Sequence, residues 1–476
     1  MIVGTGAAYL EGKEKMAGRE LINAKGNVVS DDRVEAFRTG FRGEVIRPGD
    51  PAYDTARRIW NASVDKHPGI IARCSGVADV VDAVNFAREN DLLVAVRGGG
   101  HNVGGRALCD GGMVIDLSRM RGIHVDARNR TARVQAGATL GDVDRETHFY
   151  GLAVPAGVVS ETGIAGLTLG GGVGWLVRKY GLTCDNLLSC DIVTAEGKLL
   201  TASAEDNHDL FWALRGGGGN FGVVTSFEYR LHPVSSVLGG MIVYTRSQAV
   251  EVLRFYRTFT QSAPEELTAY AALLHTPDGT PAVAVAACYC GDLAEGERLL
   301  KPLREFGSPL LDAMQPMPFP QMQALLDGAF PAGNQNYWKS TFLRELSDEA
   351  IGVLVEHANR TTSPLTAVVV EYYGGAASRV GVSETAFAHR EARYDVGILT
   401  QWTDSGAQRH IEWTRSVADA LRPYSSGAYL LNFLDAEGDD TIRAAFGENY
   451  GRLVEVKNKY DPTNFFRLNQ NIKPTV

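Results

Sequence analysis

The most constraining stretch of the chain is Val96-Arg97-Gly98-Gly99-Gly100-His101-Asn102-Val103-Gly104-Gly105, five glycines around one histidine. It follows an apolar run at 92–96 that reads as a buried strand, so the backbone here must bend through conformations that side chains forbid. Successive backbone N–H groups with no Cβ in the way suit a large anion lying against the chain. Two further clusters follow, at 163–174 and 216–222. Residues 98–222 hold 25 of the 53 glycines in about a quarter of the chain, a concentration that scattered tight turns would not produce.

Around this stretch the periodicity is mixed. Strand-like runs at 69–74 and 92–96 flank a helical stripe of Val77, Val80, Val81, Val84 and Ala87, a β-α-β unit ending on the glycine loop. Strands are predicted at 113–117, 123–125, 132–135, 191–194 and 199–202, with helices at 54–61, 140–150 and 209–214. From about residue 235, strands at 240–244, 282–287, 367–373, 397–402 and 428–433 alternate with amphipathic helices at 250–260, 294–306, 348–359 and 408–421. This texture predicts a second α+β domain. Residues 1–35 lack clear periodicity and read as a loosely docked extension.

The bulk numbers narrow the function classes. With 476 residues, 45% hydrophobic content and a net charge of −9, the chain has the composition of a globular protein with room for two or three domains. The acidic balance argues against nucleic acid, which needs clustered Lys and Arg. Six cysteines lack zinc spacing and are too few for a disulfide framework, so reduced thiols and no metal site are expected. No apolar run reaches membrane-span or signal-peptide length, so a cytoplasmic location and no membrane partner are expected.

Three nucleotide-binding readings compete. A P-loop is excluded because no glycine is followed by Lys-Ser or Lys-Thr at the required spacing. A Rossmann fingerprint needs the glycines to open a helix, and the strand expected at 113–117 leaves little room for one. A glycine loop acting as an anion nest for a diphosphate remains.

Taken together, several segments resemble the vanillyl-alcohol oxidase and p-cresol methylhydroxylase (PCMH-type) flavoprotein superfamily, and within it the berberine-bridge-enzyme-like group that includes 6-hydroxy-D-nicotine oxidase and bacterial tailoring oxidases of secondary metabolism. They are the 97–105 loop, the 163–174 cluster, Arg178-Lys179-Tyr180-Gly181-Leu182 with Asp185-Asn186, the segment 212–225, and the tail 460–472. The resemblance implies an α+β fold: a two-subdomain FAD-binding domain at 36–235, an antiparallel-sheet substrate domain flanked by helices at 236–430, and a C-terminal segment, 431–476, returning to the FAD domain. It implies cofactor contacts from Arg97, Gly98, Gly99, Gly100, His101, Asn102, Gly104, Gly105, Gly157, Thr162, Gly163, Gly166, Leu167, Gly170, Gly172, Gly174, Asp185, Asn186, Gly222, Val223, Asn469 and Asn471. It also implies covalent FAD, bonded through a ring nitrogen of His101. Relatives with a second, cysteinyl bond carry the Cys just before Gly163. Val159 stands there in this chain, so His101 is expected to be the only anchor.

For catalysis the resemblance points to a Tyr or Glu on the substrate-domain sheet and to a Tyr-x-Asn segment beside the ring. Glu371 and Tyr373 would share one face of a strand. Asn432 matches the family segment, while Tyr429 stands one residue early and would face the other way. Trp402 and His389 are further candidates. The implied reaction is hydride removal from an alcohol, amine or activated C–H of a small, mostly uncharged organic molecule, with O2 as electron acceptor. A dehydrogenase using another acceptor and a non-catalytic flavin-containing binding protein are the alternatives, and a homodimer is a candidate assembly.

Overall fold

The computed structural model describes residues 20–434 and 438–476. Of the expected N-terminal extension, 1–19 lies outside the described residues. Residues 20–35 are docked, with Leu21 and Val34 buried in the core.

Three sheets organise the chain. The first contains β1 (Glu44–Ile46), β2 (Ile70–Arg73), β3 (Val94–Arg97) and β4 (Met113–Asp116) in the order β1-β2-β4-β3, with β2, β4 and β3 parallel. The helix Val77–Glu89 links β2 to β3 and buries Val80, Ala83, Val84 and Ala87, the spacing of a single helix face. The second sheet takes β5 (Ile123–Asp126), β6 (Thr131–Gln135), β8 (Leu187–Val193), β9 (Leu199–Ser203) and β10 (Val223–Arg230) in the order β5-β6-β10-β8-β9, all antiparallel. A short strand, β7 (Leu152–Ala153), pairs with β11 (His232–Pro233). Thr139 starts the helix Leu140–His148 with a capping box closed by Asp142, satisfying donors that helix geometry leaves open.

The third sheet has eight strands: β12 (Ser236–Thr245), β13 (Leu267–His275), β14 (Pro281–Tyr289), β15 (Leu311–Asp312), β16 (Gln315–Pro318), β17 (Gln335–Leu343), β18 (Ala367–Tyr372) and β19 (Tyr394–Trp402). Seven run in the order β15-β12-β14-β13-β18-β19-β17, and β16 adds to β12. One face buries Ile242, Ala271, Val285, Val370 and Val396 with residues of the helices Ala249–Ser262, Asp348–Ala358 and Ala407–Leu421. Period-2 alternation sends the intervening residues to the opposite face, against the glycine-rich half.

Two expectations need correction, and a central strand went unassigned. The run 428–433 is no strand: it enters a 3-10 turn at Leu431–Phe433. The helix expected at 54–61 is a single turn, Tyr53–Ala56. The run Leu-Thr-Ala-Tyr-Ala-Ala-Leu-Leu-His is a central strand, β13, although alanine favours helix; burial on both faces overrides local preference.

The C-terminal tail is fixed by a buried ion pair. Lys457, on the helix Tyr450–Tyr460, has no solvent exposure and bonds Asp461 Oδ2 at 2.7 Å, Asn220 O at 2.7 Å and Phe466 O at 3.0 Å. Asp461 in turn accepts from the backbone N–H groups of Phe465 and Phe466. Lys457→Met should destabilise the fold by about 3–5 kcal/mol in urea unfolding, because it leaves the Asp461 charge buried and unpaired.

Candidate active site: a glycine-lined cavity roofed by the third sheet

A cavity of about 1090 Å³ lies between the glycine clusters and the open face of the third sheet. Gly98, Gly99, Gly100, His101 and Asn102 line it, as do Gly157, Thr162, Gly163, Gly166, Leu167, Gly170, Gly222, Asn432 and Asn469. The need for glycine is physical at two places. A Cβ on Gly99 would lie 2.5 Å from Gly163 N, so the first two loops pack backbone to backbone; a Cβ on Gly170 would lie 2.5 Å from Asn432 Nδ2.

Other expected cofactor residues stand away from the cavity. Arg97 is buried and spends its guanidinium on Asp116 at 2.6 Å and Ala56 O at 2.6 Å, because a charge taken out of water needs a partner. Asp185 forms a bidentate pair with Arg390, two contacts of 2.7 Å, that ties the third sheet's loop to the first half. Asn186 donates to Tyr180 O and Leu182 O at 2.9 Å. Gly104, Gly105, Gly172, Gly174, Val223 and Asn471 are not among the lining residues; Gly172 abuts Thr183, Gly174 abuts Ala156 O, and Val224 lines the cavity in place of Val223.

His101 sits at one end of the cavity with its ring stacked on Trp60, centroids 4.3 Å apart. Its Nε2 is buried without a partner, and burial pushes its pKa down to about 4, so the imidazole is neutral at pH 7. Trp60 donates from Nε1 to Phe330 O at 2.9 Å and meets Trp338 edge-on, joining the histidine end to the third sheet. Val159 belongs to this same apolar cluster. None of the six cysteines lines the cavity.

Glu371, on β18, lines the opposite wall and is 6% exposed. Burial raises its pKa to about 7, and a hydrogen bond donated by Tyr373 OH to Oε2 acts in the lowering direction. Tyr373 itself is buried behind Glu371 and does not line the cavity. Across the sheet, Glu371 pairs in register with Tyr270 on one side and Asp395 on the other. Asp395 accepts from Ser340 Oγ at 2.8 Å, and burial followed by the charge of Glu371 pushes its carboxyl well above the usual range.

Asn432 lies on the 3-10 turn and donates to Leu167 O at 3.2 Å, with its Oδ1 buried and unpartnered. Tyr429 packs against the core of the first half and is absent from the lining; the strand that would have given it an alternating face does not exist. His389 bonds Ala444 O, and Trp402 stacks on His410. Neither lines the cavity. Trp60, Trp175, Tyr270 and Gln401 line the cavity or buttress it, and nothing in their local sequence singled them out.

The donor set fits a flavin dinucleotide. Glycine backbones can approach a diphosphate closely, and the buried side-chain atoms at the cavity that lack partners include three on expected cofactor or catalytic residues: His101 Nε2, Asn432 Oδ1 and Asn469 Oδ1. The fold and this site define an FAD-dependent oxidoreductase. A family profile described as an FAD binding domain matches residues 68–203, and one described as berberine and berberine-like matches 428–473. An FAD-linked oxidoreductase of Dictyostelium discoideum is 36% identical, covering 93% of this chain and 97% of its own. The (R)-6-hydroxynicotine oxidase of Paenarthrobacter nicotinovorans is 34% identical over 91% of this chain and 97% of its own. The crystal structure of 6-hydroxy-D-nicotine oxidase from Arthrobacter nicotinovorans superposes with a TM-score of 0.84 at 32% identity, covering 91% of this chain and 98% of that one. The chain belongs to the berberine-bridge-enzyme-like family of FAD-linked oxidoreductases. Among the described residues, no helix is long and apolar enough to cross a membrane.

Proposed function

We propose that the protein is an oxidase that removes a hydride from an alcohol, amine or activated C–H of a small organic molecule, with Glu371 as the base and FAD anchored covalently through His101 alone. The observation that carries this reading is Glu371: a buried carboxyl titrating near neutrality on the wall of the cavity that His101 and the glycine loops line. When bound, FAD supplies the hydride acceptor, and its reoxidation by O2 yields H2O2.

The chain's own part is proton handling and enclosure. Tyr373 holds Oε2 of Glu371, which leaves Oε1 to take the substrate's proton. The neutral imidazole of His101 offers a lone pair for the bond to the flavin, and Trp60 fixes the ring plane by stacking. Asn432 and Asn469 would turn their amides toward the cofactor, and the enclosed cavity limits water around the reacting groups. The six free thiols suit a reducing compartment such as the cytoplasm.

Anaerobic reduction followed by mixing with air tests the acceptor: an oxidase reoxidises within seconds and releases H2O2, whereas a dehydrogenase stays bleached until another acceptor is added. Tyr373→Phe tests the base. Removing the hydrogen bond that favours the charged carboxylate should move the pH profile of flavin reduction upward by about one unit while flavin content stays constant.

A further inference from the structure

Strand register fixes two transverse rows on the sheet wall of the cavity. One runs Met241, Ala286, Tyr270, Glu371; the next, two residues along each strand, runs Val243, Ala284, Ala272, Val369. All eight line the cavity. The three alanines make a shallow floor beside Glu371, since nothing beyond Cβ projects from them.

Two unpartnered polar groups border this floor. Tyr270 is 4% exposed and its hydroxyl has no partner. Trp175 stacks on it with centroids 4.9 Å apart, and its Nε1 also lacks a partner. Buried donors left in this state ordinarily find an acceptor, and both residues line the cavity.

At the far end large aliphatic side chains share the wall with His275, Thr276 and Thr366. Leu311 and Leu365 line the rim and remain 54% and 42% exposed, unusual for large aliphatic side chains. From Glu371 back to Ala367, the last cavity-lining position of β18, the strand covers roughly 13 Å. Of the described lining residues only Arg106, Asp278 and Glu371 carry formal charge. Asp278 sits on the exposed turn between β13 and β14, where it accepts from Thr276. A sugar lying flat on this floor would set the hydroxyls of one face against three alanine side chains, which offer no hydrogen bond.

Resting on the flavin-dependent reading above, we propose that the substrate is an elongated, uncharged, largely apolar ring-bearing molecule that lies flat on the Ala272, Ala284 and Ala286 floor, with a hydrogen-bond acceptor at the Tyr270 hydroxyl, and that oligosaccharides are excluded. The test is equilibrium binding to the flavin-loaded protein, read by calorimetry and by perturbation of the flavin absorption band. Three probes suffice: flavone, which is flat and carries a carbonyl; flavan, which lacks that carbonyl; and cellobiose. Flavone should bind with a Kd below about 100 μM, and cellobiose should show no binding at millimolar concentration. Ala272→Phe should weaken flavone by about tenfold or more through overpacking, with flavin content and Tm unchanged; Ala284→Leu serves if that variant does not fold. Tyr270→Phe should weaken flavone several-fold and leave flavan unaffected. Cellobiose binding as tightly as flavone, or flavone binding unchanged when the floor is filled, would overturn the proposal. A protein that carries no flavin would instead remove the reading beneath it, and restricting titrations to flavin-loaded protein keeps the two failures apart.

Discussion

Glu371→Gln lowers the limiting rate of anaerobic flavin reduction by about 10²–10⁴-fold, the range that a positioned general base contributes, while flavin content stays at the parent level. The substitution keeps shape and removes only the ability to take a proton. In the parent, the rate rises with pH through about 7, where burial has moved the carboxyl. The variant loses that inflection. Stability carries the opposite sign. The folded pKa of about 7 lies above the ordinary 4.5, so the contribution of Glu371 to stability is complete below 4.5 and is lost as pH rises through 7. The Gln variant lacks this decline, so thermal melts of the two proteins should diverge between those limits and show Gln at least equal above pH 7. A rate unchanged by the substitution with every substrate that bleaches the parent flavin would remove Glu371 from the chemistry.

His101→Ala yields protein whose yellow colour is lost to the supernatant on acid precipitation, where the parent pellet stays yellow. In the proposed linkage His101 makes the single bond: Trp60 stacks on its ring and belongs to the apolar cluster of Val103, Val159, Phe330 and Trp338, and no cysteine lines the cavity to take over. The glycine cradle is untouched by the change, so the variant should still bind added FAD reversibly. Its oxidising power should fall, because the electron-withdrawing alkylated imidazole is gone. Slower reduction of the variant, even when saturated with FAD, is the kinetic counterpart. Flavin that still precipitates with His101→Ala would show that another residue makes the bond.

Much of the cofactor half was legible because glycine announces backbone contact. Gly99 and Gly163 stand in two separate glycine clusters of the sequence, and their backbones touch in the fold. The tail was legible for a similar reason, since Asn469 sits in a dense polar motif. Arg97 and Asp185 were expected at the cofactor through the family resemblance, and their side chains instead pair with Asp116 and Arg390. The substrate wall was legible only at Glu371. Tyr270 was hidden by its alanine neighbours: the small side chains that open the cavity also erase the hydrophobic alternation by which a strand is recognised. Asn432 reaches the cavity on a turn rather than a strand, so strand alternation does not separate it from Tyr429, although of the two only Asn432 lines the site.

The proposed covalent anchor at His101 is read most directly, and without any substrate, by peptide mapping of the wild-type protein after denaturation. Tandem mass spectrometry should find one FAD-derived modification, on the peptide that contains Gly98 to Gly105, with the fragment ions placing it on His101. An unmodified peptide from protein that was yellow before denaturation, or a flavin carried on any other residue, would contradict it.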